Sequence, residues 1–246
     1  KCFPRPDRVR ILGVPYPGAV LTAAADTLPG ETISWRWEYS EDGKNWTPCG
    51  KTETFDVPAG AAWVRVTATD GKGNAEMSRP YRVLPAPDSG AAARLICRNM
   101  LPAGVVPAEE PVTRMQLAAM LAPLSDPKLR GPVPKDTQVM TALAAVANRF
   151  LALDEAGNFR PTDSVTRQEM ASVAMQACGV NYRNASSTMP VCEDVEEVSN
   201  NYGTNVARAL YFGFMQLEDG RFYPQRPVTV REAIEILDRV ADFAGL

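Results

Sequence analysis

Histidine is absent from this chain of 246 residues. Its absence removes the side chain that most often acts as a general base and most often binds metal ions in proteins. Ser–His–Asp triads, Cys–His pairs and histidine-bound metals are therefore excluded. Cysteine is scarce as well, and because the five cysteines form no CxxC pair, their spacing argues against a zinc cluster.

Long apolar runs and an excess of one charge are also missing. No window approaches the roughly 18 apolar residues of a membrane-spanning helix, and the opening residues KCFPRP lack the apolar core of a signal peptide. Lys and Arg total 26 against 29 for Asp and Glu, which gives a net charge of −3. This balance, without a dominant basic run, argues against nucleic acid and anionic lipid as partners. Because the chain starts at Lys1 rather than Met, the removal of a leader stays open.

Alternating apolar and polar residues are abundant in the first third of the chain. The segment ISWRWEYS places Trp35, Trp37 and Tyr39 on one face of a strand, and WVRVTATD alternates in the same way. The sequences EDGKN and DGKGN are typical of the turns that join such strands. Several short strands at this spacing predict a β-sandwich.

The apolar period changes after the linker LPAPDSG, residues 84–90. From there apolar residues recur every three or four positions, as in the stripes from Val139 to Leu151 and from Val206 to Phe212, which indicates helices. The linker carries two prolines and a glycine, a composition typical of domain boundaries. We therefore predict an all-β domain over residues 1–86 and a mostly α domain over residues 87–246.

One phrase occurs three times in the helical part, as VTRMQL from Val112, VTRQEM from Val165 and VTVREA from Val228. In each copy a threonine is followed three residues later by Glu or Gln, the pattern of a capping box that satisfies two backbone N–H groups at a helix start. Repetition of this kind predicts copies of one supersecondary unit. We place the three copies at about residues 87–130, 131–186 and 187–246.

A second shared motif precedes the phrase, as GNFRPTDSVT in the second copy and GRFYPQRPVT in the third. The glycine permits a turn, Phe159 or Phe222 is predicted to fill the core, and the proline stiffens the approach to the cap. The first copy reads GVVPAEEPVT and has Val106 at the aromatic position. Each unit is therefore predicted to be a helix, a turn with an aromatic plug, and a capped helix.

This order of elements resembles the S-layer homology domain. Residues 145–175 match its motif closely, and residues 191–237 match with Asp194 at the opening acidic position and Tyr202 where an aromatic, usually tryptophan, is expected. Residues 89–121 match weakly. In the second copy Asp136 is the only acid near the opening position, and a helix N-cap is the alternative role for both aspartates.

The β part, about residues 6–85, resembles the immunoglobulin-like modules of bacterial surface proteins. The resemblance rests on the W-x-W strand, the S-x-D-G-x-x-W hairpin and the strand WVRVTATD. It implies that Trp35, Trp37 and Trp46 are core residues, in preference to a platform on which sugars stack.

The S-layer homology resemblance implies a pseudo-threefold helical assembly whose grooves hold secondary cell-wall polysaccharide, often pyruvylated. An arginine one place after the cap lies beside the positive end of a helix, where the two together favour a carboxylate. Arg114 and Arg167 occupy that position, whereas the third copy has Val230 there and Arg231 one place later. The candidate ligand-binding residues are therefore Arg114, Arg167, Asp194, Tyr202 and Arg231. For the arginines, an inter-repeat salt bridge is the alternative.

These observations lead us to expect a non-catalytic, exported cell-envelope protein without cofactor or metal, which binds anionic wall polysaccharide and has other surface proteins as further partners. A degenerate scaffold that presents the sandwich to a protein partner is one alternative, motivated by the missing third arginine. Glycan cleavage by paired carboxylates is another, although no two acids stand out by spacing.

The cysteines carry a conditional prediction. If the protein is exported, Cys178 and Cys192 are the first expected disulfide because they flank one short connection between copies, and Cys2 with Cys49 is the second. Cys97 lies in an apolar helical string and is predicted to pack as a small hydrophobe. The alternative is that all thiols stay free in a reducing compartment.

Overall fold

The computed structural model of the chain describes residues 7–26, 31–86, 88, 90–179, 188, 190 and 192–245. It divides into two compact units, of which the first holds Lys1–Asn99 with Ala244–Leu246 and the second holds Met100–Phe243. The division follows Asn99, whereas the sequence predicts a domain boundary after residue 86. The difference concerns one helix, Ala91–Cys97.

The described part of the first unit contains two antiparallel sheets. One sheet has the strand order β1-β2-β5, and the other has the order β4-β3-β6-β7 with β8 paired to β6. The strands are β1 Asp7–Leu12, β2 Val20–Asp26, β3 Ser34–Ser40, β4 Thr47–Gly50, β5 Thr54–Asp56, β6 Trp63–Thr69, β7 Ala75–Met77 and β8 Tyr81–Arg82. The predicted β-rich N-terminal part is confirmed, and the immunoglobulin-like arrangement of its strands stays a prediction.

Trp37 lies at the centre of this unit. Its side chain is fully buried and stacks on Phe55 with ring centroids 4.9 Å apart. In the pairing of β3 with β6, Trp37 lies opposite Val66 and Tyr39 lies opposite Val64, so the predicted alternation sets the core face of the sheet. The predicted core position of Trp37 is therefore confirmed.

Trp46 differs from Trp37. It lies outside the core cluster, and the guanidinium group of Arg65 sits 4.0 Å from the centroid of its ring. Arg65 also pairs with Glu38 at 2.8 Å. The predicted core position is wrong for Trp46, because its ring packs on a charged side chain rather than between the sheets. Trp35 is partly buried and packs against the core.

Helix α1, Ala91–Cys97, belongs to this first unit although the sequence places it in the first helical copy. Its Ala93 and Cys97 are buried within the same hydrophobic cluster as Trp37. The predicted packing of Cys97 as a small hydrophobe is confirmed, and burial raises the pKa of its thiol to about 12.

The second unit is helical in its described part, as predicted. Its helices are α2 Arg114–Leu121, α3 Met140–Ala147, α4 Arg167–Ala177, α5 Gly203–Tyr211 and α6 Val230–Ala244. Short 3-10 turns span Ala122–Leu124 and Val195–Glu197. None of the helices in the described part of the chain is long and apolar enough to cross a membrane.

The helices α2, α4 and α6 begin with the predicted capping boxes. The amide of Thr166 donates to Glu169 Oε2 at 2.8 Å, and the threonine hydroxyl accepts from the Glu169 amide at 3.4 Å. The same reciprocal pair joins Thr113 to Gln116 and Thr229 to Glu232. Because two otherwise unpaired N–H groups are satisfied at each start, the threonines define where these helices begin.

The valines that precede the three caps form a closed ring of backbone hydrogen bonds. The amide of Val112 donates to the carbonyl of Val228 at 2.8 Å, Val228 donates to Val165 at 2.8 Å, and Val165 donates to Val112 at 3.1 Å. All three valines are fully buried. The three copies of the phrase therefore meet at one point in the interior of the second unit.

The first amide of each of these helices also bonds to a neighbouring copy. Arg114 N donates to the carbonyl of Asp163, Arg167 N to that of Arg226, and Val230 N to that of Glu110, each at 2.9 Å. The second amides of the three helices make equivalent bonds at 3.0 to 3.1 Å, to Pro161, Pro224 and Ala108. The positive ends of the helices are thus occupied by protein carbonyls.

The predicted disulfide between Cys178 and Cys192 is wrong, because neither cysteine is part of a disulfide. The Cys178 thiol donates to the carbonyl of Met175 at 3.2 Å, and the Cys192 thiol donates to a carboxylate oxygen of Asp194 at 2.8 Å. Cys49 is also free, and Cys2, its predicted partner, lies outside the described residues.

Candidate functional site

Arg114 reaches from the start of α2 into the second copy. Its Nε donates to the carbonyl of Phe159 at 2.6 Å, its Nη2 donates to the carbonyl of Ala152, and its Nη1 pairs with Glu169 Oε1 at 3.2 Å. The guanidinium group also lies 5.1 Å from the centroid of the Phe159 ring. We call this contact between Arg114, Ala152, Phe159 and Glu169 the Arg114 seam.

Arg167 repeats the arrangement between the second and third copies. Its Nε donates to the carbonyl of Phe222 at 2.6 Å and its Nη2 donates to the carbonyl of Gln216 at 2.8 Å. Its Nη1 pairs with Glu218 at 2.8 Å and lies 3.8 Å from Glu232. We call the contact between Arg167, Gln216, Glu218, Phe222 and Glu232 the Arg167 seam.

Both predicted ligand-binding arginines are buried. Arg114 is 2% exposed and Arg167 is 4% exposed, so neither guanidinium group lies open in a groove, as the resemblance would have a ligand-binding arginine do. The physical reason is that carbonyl oxygens and a glutamate of the next copy replace the water that each guanidinium group loses. Burial accordingly lowers the pKa of both side chains. A role of the two arginines in binding a ligand stays a prediction.

Glu169 serves the seam and the helix cap at once. One carboxylate oxygen accepts from the Thr166 amide and hydroxyl, at 2.8 and 2.9 Å, while the other accepts from Arg114. Glu232 does the same, with one oxygen on the Thr229 amide at 2.9 Å and the other on Arg226 at 2.7 Å. The capping glutamate therefore couples a helix start to the charge brought by another segment.

The third seam, between the third copy and the first, lacks both partners of this pair. The arginine position holds the buried Val230, and the capping position of α2 holds the neutral Gln116. The predicted site residue Arg231 is half exposed and pairs through Nε with Glu109, which raises the pKa of the guanidinium group. A surface ion pair thus stands where the other two seams have a buried one.

Asp194 holds the turn before the third capping box. Its two carboxylate oxygens accept from the amides of Phe222 at 2.8 Å and Tyr223 at 2.7 Å. Burial alone would raise the pKa of Asp194, yet hydrogen bonds from the Cys192 thiol and the two amides hold the pKa below its ordinary value. The side chain makes no cap bond to its own 3-10 turn, so the alternative N-cap role is wrong.

Asp136 makes the equivalent clamp in the second copy. It accepts from the amides of Phe159 and Arg160, each at 2.7 Å, and the first of these bonds is the main reason why its pKa is lowered. It does not cap α3, whose N-cap is Val139. The opening aspartates of the motif therefore fix the position of the buried phenylalanines, Phe159 and Phe222, whose predicted core role is confirmed.

Tyr202, in the third copy, interacts electrostatically with residues of the Arg114 seam. The side chain is half-buried, and its electrostatic partners are Glu169, Arg114 and Arg160. Burial raises the pKa of its hydroxyl, and the negative charge of Glu169 adds to the effect. The hydroxyl end of an aromatic side chain therefore lies within electrostatic reach of this seam.

Arg160 is the residue that sequence reasoning missed. Its side chain is 45% exposed and pairs loosely with Asp163 at 3.4 Å and Asp154 at 3.9 Å. Its backbone has φ of 58°, a left-handed conformation that Asp136 stabilises by accepting from its amide. In the sequence, Arg160 is marked only as the middle residue of the F-x-P motif, between Phe159 and Pro161, and the motif does not specify the residue type at that position.

Metal ligands do not gather at the seams. Within the ranges that the structure describes, there is no group of three or more Cys, Asp or Glu side chains placed to hold a metal ion. The groups available near the Arg114 seam are the partly exposed guanidinium group of Arg160, the ring of Tyr202 and the carboxylate of Glu169, which already accepts hydrogen bonds from Thr166 and Arg114.

The comparison with protein families places these features in context. The model of the S-layer homology domain matches residues 142–171 and 193–234. No curated protein matches the chain. The matched stretches hold Arg160, Glu169 and Arg167 in the first part and Asp194 and Tyr202 in the second, while Arg114 lies outside them. The match supports an S-layer homology domain protein, a class that is associated with the cell wall at the cell surface.

Proposed function

We propose that the helical unit binds an anionic secondary cell-wall polysaccharide at the exposed rim of the Arg114 seam and thereby anchors an exported protein, without catalysis, to a bacterial surface. The observation that carries this proposal is that Tyr202 and Arg160 both interact electrostatically with Arg114 of the buried pair Arg114–Glu169. Three of these residues lie in the stretches that match the S-layer homology domain.

The rim suits an acidic sugar. A guanidinium group presents paired donors to a carboxylate such as that of a pyruvyl ketal, and a tyrosine ring offers an apolar face to the sugar ring. The ion pairs of the partly exposed Arg160 are long, at 3.4 and 3.9 Å, so their exchange for a ligand carboxylate costs little. The buried Arg114 holds Glu169 in place beside the rim.

The Arg167 seam is less suited to an anion. Arg226 at its rim is already bound by Glu218 at 2.8 Å and Glu232 at 2.7 Å. Hydrogen bonding to Glu232 is the main reason why the pKa of Arg226 is raised. A ligand carboxylate would have to displace these two short ion pairs, whereas those of Arg160 are longer, at 3.4 and 3.9 Å, so we assign the main site to the Arg114 seam.

Binding to purified wall polysaccharide tests the assignment. We expect the parent protein to be retained by the polysaccharide, and Arg160→Ala and Tyr202→Ala each to reduce retention about tenfold, as the loss of a charged or stacking contact would. Arg36→Ala, which removes an exposed arginine from the β unit, is the matched control and should bind like the parent. Failure of the parent protein to bind would reject the proposal.

A scaffold that presents the β unit to a protein partner is the second candidate function. It is favoured by the burial of Arg114 and Arg167, which gives both arginines a structural role that needs no ligand. On this alternative, the parent protein binds wall polysaccharide no better than it binds unrelated sugars. The same retention assay, run with a neutral glycan beside the wall polysaccharide, therefore separates the two functions.

A further inference from the structure

A cavity of about 580 Å³ lies in the second unit, between α3 and the segment of residues 125–133 that follows α2. Its volume falls in the range of about 300 to 1,000 Å³ that is usual for small-molecule sites. Its walls are mainly apolar and include Ala122, Leu143, Ala144 and Ala147. None of the residues of the Arg114 or Arg167 seam lines it, so it is separate from the site proposed above.

The apolar surface around this cavity extends into solvent. Met140 is 74% exposed, Val133 is 61% exposed and Leu129 is 47% exposed, and all three line the cavity. Single exposed apolar side chains are common, whereas several around one concavity indicate a binding surface. The cavity is thus suited to an apolar ligand.

Two polar groups of the cavity have bonding capacity to spare. Ser125 Oγ is buried without a hydrogen-bond partner among the described residues. Arg130 Nη1 donates to the carbonyls of Pro127 at 2.7 Å and Leu129 at 2.9 Å, which holds the guanidinium group at the mouth. Within the described part of the chain, Arg130 Nε and Nη2 have no acceptor. A buried hydroxyl without a partner is unusual in a folded protein, and a bound ligand would supply the partner.

The walls are held in place before any ligand binds. A Cβ added to Gly131 would come within 2.8 Å of Ala147 Cα, so the backbone of the segment packs directly on α3. Asn148 fastens the same segment by accepting from the Asp126 amide at 2.8 Å and donating to the Ala144 carbonyl at 2.9 Å. A preformed cavity of this kind binds without the cost of ordering its walls.

We propose that this cavity binds a small amphipathic carboxylate, such as a medium-chain fatty acid, with the apolar chain between α3 and residues 125–133 and the carboxylate on Arg130. The charge on Arg130 and its unused donors select an anion, and the apolar walls select the hydrocarbon chain. The Ser125 hydroxyl supplies a further donor inside the cavity.

Calorimetric titration of the whole chain with sodium octanoate, decanoate and dodecanoate, below their micelle concentrations, tests this inference. Saturable binding is expected, and the affinity should rise by roughly fourfold for each methylene group that becomes buried. Arg130→Gln should weaken decanoate binding about fivefold while leaving the affinity for decanol unchanged. Lys128→Gln, which removes a nearby exposed cation that does not line the cavity, is the matched control and should leave decanoate binding unchanged.

Two further variants separate loss of the site from loss of the fold. Ala144→Trp fills the cavity and should abolish binding, and Met140→Glu places a negative charge on an exposed rim position and should weaken decanoate but not decanol. Circular dichroism checks that each variant remains folded. The inference is overturned if the parent chain shows no saturable binding, or if the folded Met140→Glu and Arg130→Gln variants bind decanoate as the parent does.

Discussion

A guanidinium group that is 2% exposed keeps its charge only where protein acceptors replace its water. At Arg114 those acceptors are two backbone carbonyls and the carboxylate of Glu169, and at Arg167 they are two carbonyls with Glu218. The arginine one place after the cap therefore acts first as a fastener between copies. The arginine occupies the position that the sequence motif predicts, but it is buried between two copies instead of being open to a ligand.

Truncation of this fastener should be costly. We predict that Arg114→Ala lowers the free energy of unfolding by about 3 kcal/mol, because it leaves two buried carbonyls and Glu169 without their donor. Chemical denaturation of the parent and variant measures the change. Arg130→Ala, at an exposed arginine, should change it by less than about 0.5 kcal/mol. Equal losses for the two variants would contradict the assigned role of Arg114.

The clamp at Asp194 makes a second prediction at the residue scale, and its sign follows from the lowered pKa. Because the folded-state pKa of Asp194 lies below its ordinary value of 3.8, the stabilisation by this carboxylate is present above about pH 4 and is lost as the pH falls through the folded-state pKa. We predict that Asp194→Asn lowers the free energy of unfolding by about 3 kcal/mol at pH 7, because one amide loses its anionic acceptor.

Urea unfolding between pH 3 and pH 7 checks both parts of this prediction. The difference in stability between parent and Asp194→Asn should shrink as the pH falls below 4. Glu155→Gln, at an exposed acid in the turn of the second copy, should follow the parent at every pH. A difference that stays constant from pH 7 to pH 3 would show that the carboxylate charge of Asp194 does not stabilise the turn.

At the scale of the element, a helix start in this unit consists of a cap, a carbonyl from a neighbouring copy and a charge pair. All three starts have the first two parts. The charge pair between the arginine of one copy and a glutamate of the next is present at the Arg114 and Arg167 seams and absent at the third seam. There Val230 replaces the arginine and Gln116 replaces the glutamate, so both charges are missing together. A lone buried arginine or a lone glutamate would be left without its counter-charge, which accounts for the joint replacement.

This pairing predicts an interaction energy between two positions far apart in the sequence. Val230→Arg alone should destabilise the protein by about 3 kcal/mol, because it buries an unpaired charge. Adding Gln116→Glu should recover about 1 kcal/mol or more of that loss, since the glutamate supplies the partner that the other seams have. A double-mutant cycle from denaturation curves gives the interaction energy, and strictly additive effects would argue against the pairing.

At the scale of the whole molecule, the second unit is held together through one central point. The ring formed by Val112, Val165 and Val228 uses one residue from each copy of the phrase, and the Arg114 and Arg167 seams add contacts between neighbouring copies. Damage in any one copy is therefore transmitted to the other two, since no copy keeps all its partners without its neighbours.

The ring predicts that the second unit unfolds cooperatively. Phe159→Leu and Phe222→Leu remove packing from the second and third copies, and each should lower the free energy of unfolding by about 1 kcal/mol. Both variants should shift the same calorimetric transition to lower temperature. Arg130→Gln, at an exposed position, should leave it unchanged. Two transitions that respond separately to the two phenylalanine variants would contradict a ring-centred unit.

The parts of the structure that the sequence predicted well depend on contacts between residues close together in the chain. The capping boxes join residues three apart, and the alternation along β3 follows from the geometry of a single strand. The buried plugs Phe159 and Phe222 were also predicted, because a large aromatic residue between a glycine and a proline has few alternatives to the core.

The parts that were missed depend on partners without a signature in the sequence. Arg114 bonds to carbonyls 38 and 45 residues away, and any residue type can supply a carbonyl. The clamp of Asp194 accepts from amides 28 and 29 residues away, and because every residue except proline carries an amide, the sequence does not indicate these partners either. Trp46 is a core residue by its sequence motif, yet the guanidinium group of Arg65, on β6, packs over its ring. Burial of α1 with the sheets likewise depends on tertiary contacts alone.

The hydrogen-bond ring also limits how such a chain can grow by duplication. In a solenoid, an added repeat stacks on an open end. Here each valine donates once and accepts once, and with three members every donor and acceptor of the circle is used. A fourth copy of the phrase would find these donors and acceptors already paired, so its own valine would have no hydrogen-bond partner in the ring. An added copy could therefore join the circle only if one of its three hydrogen bonds opened to admit it.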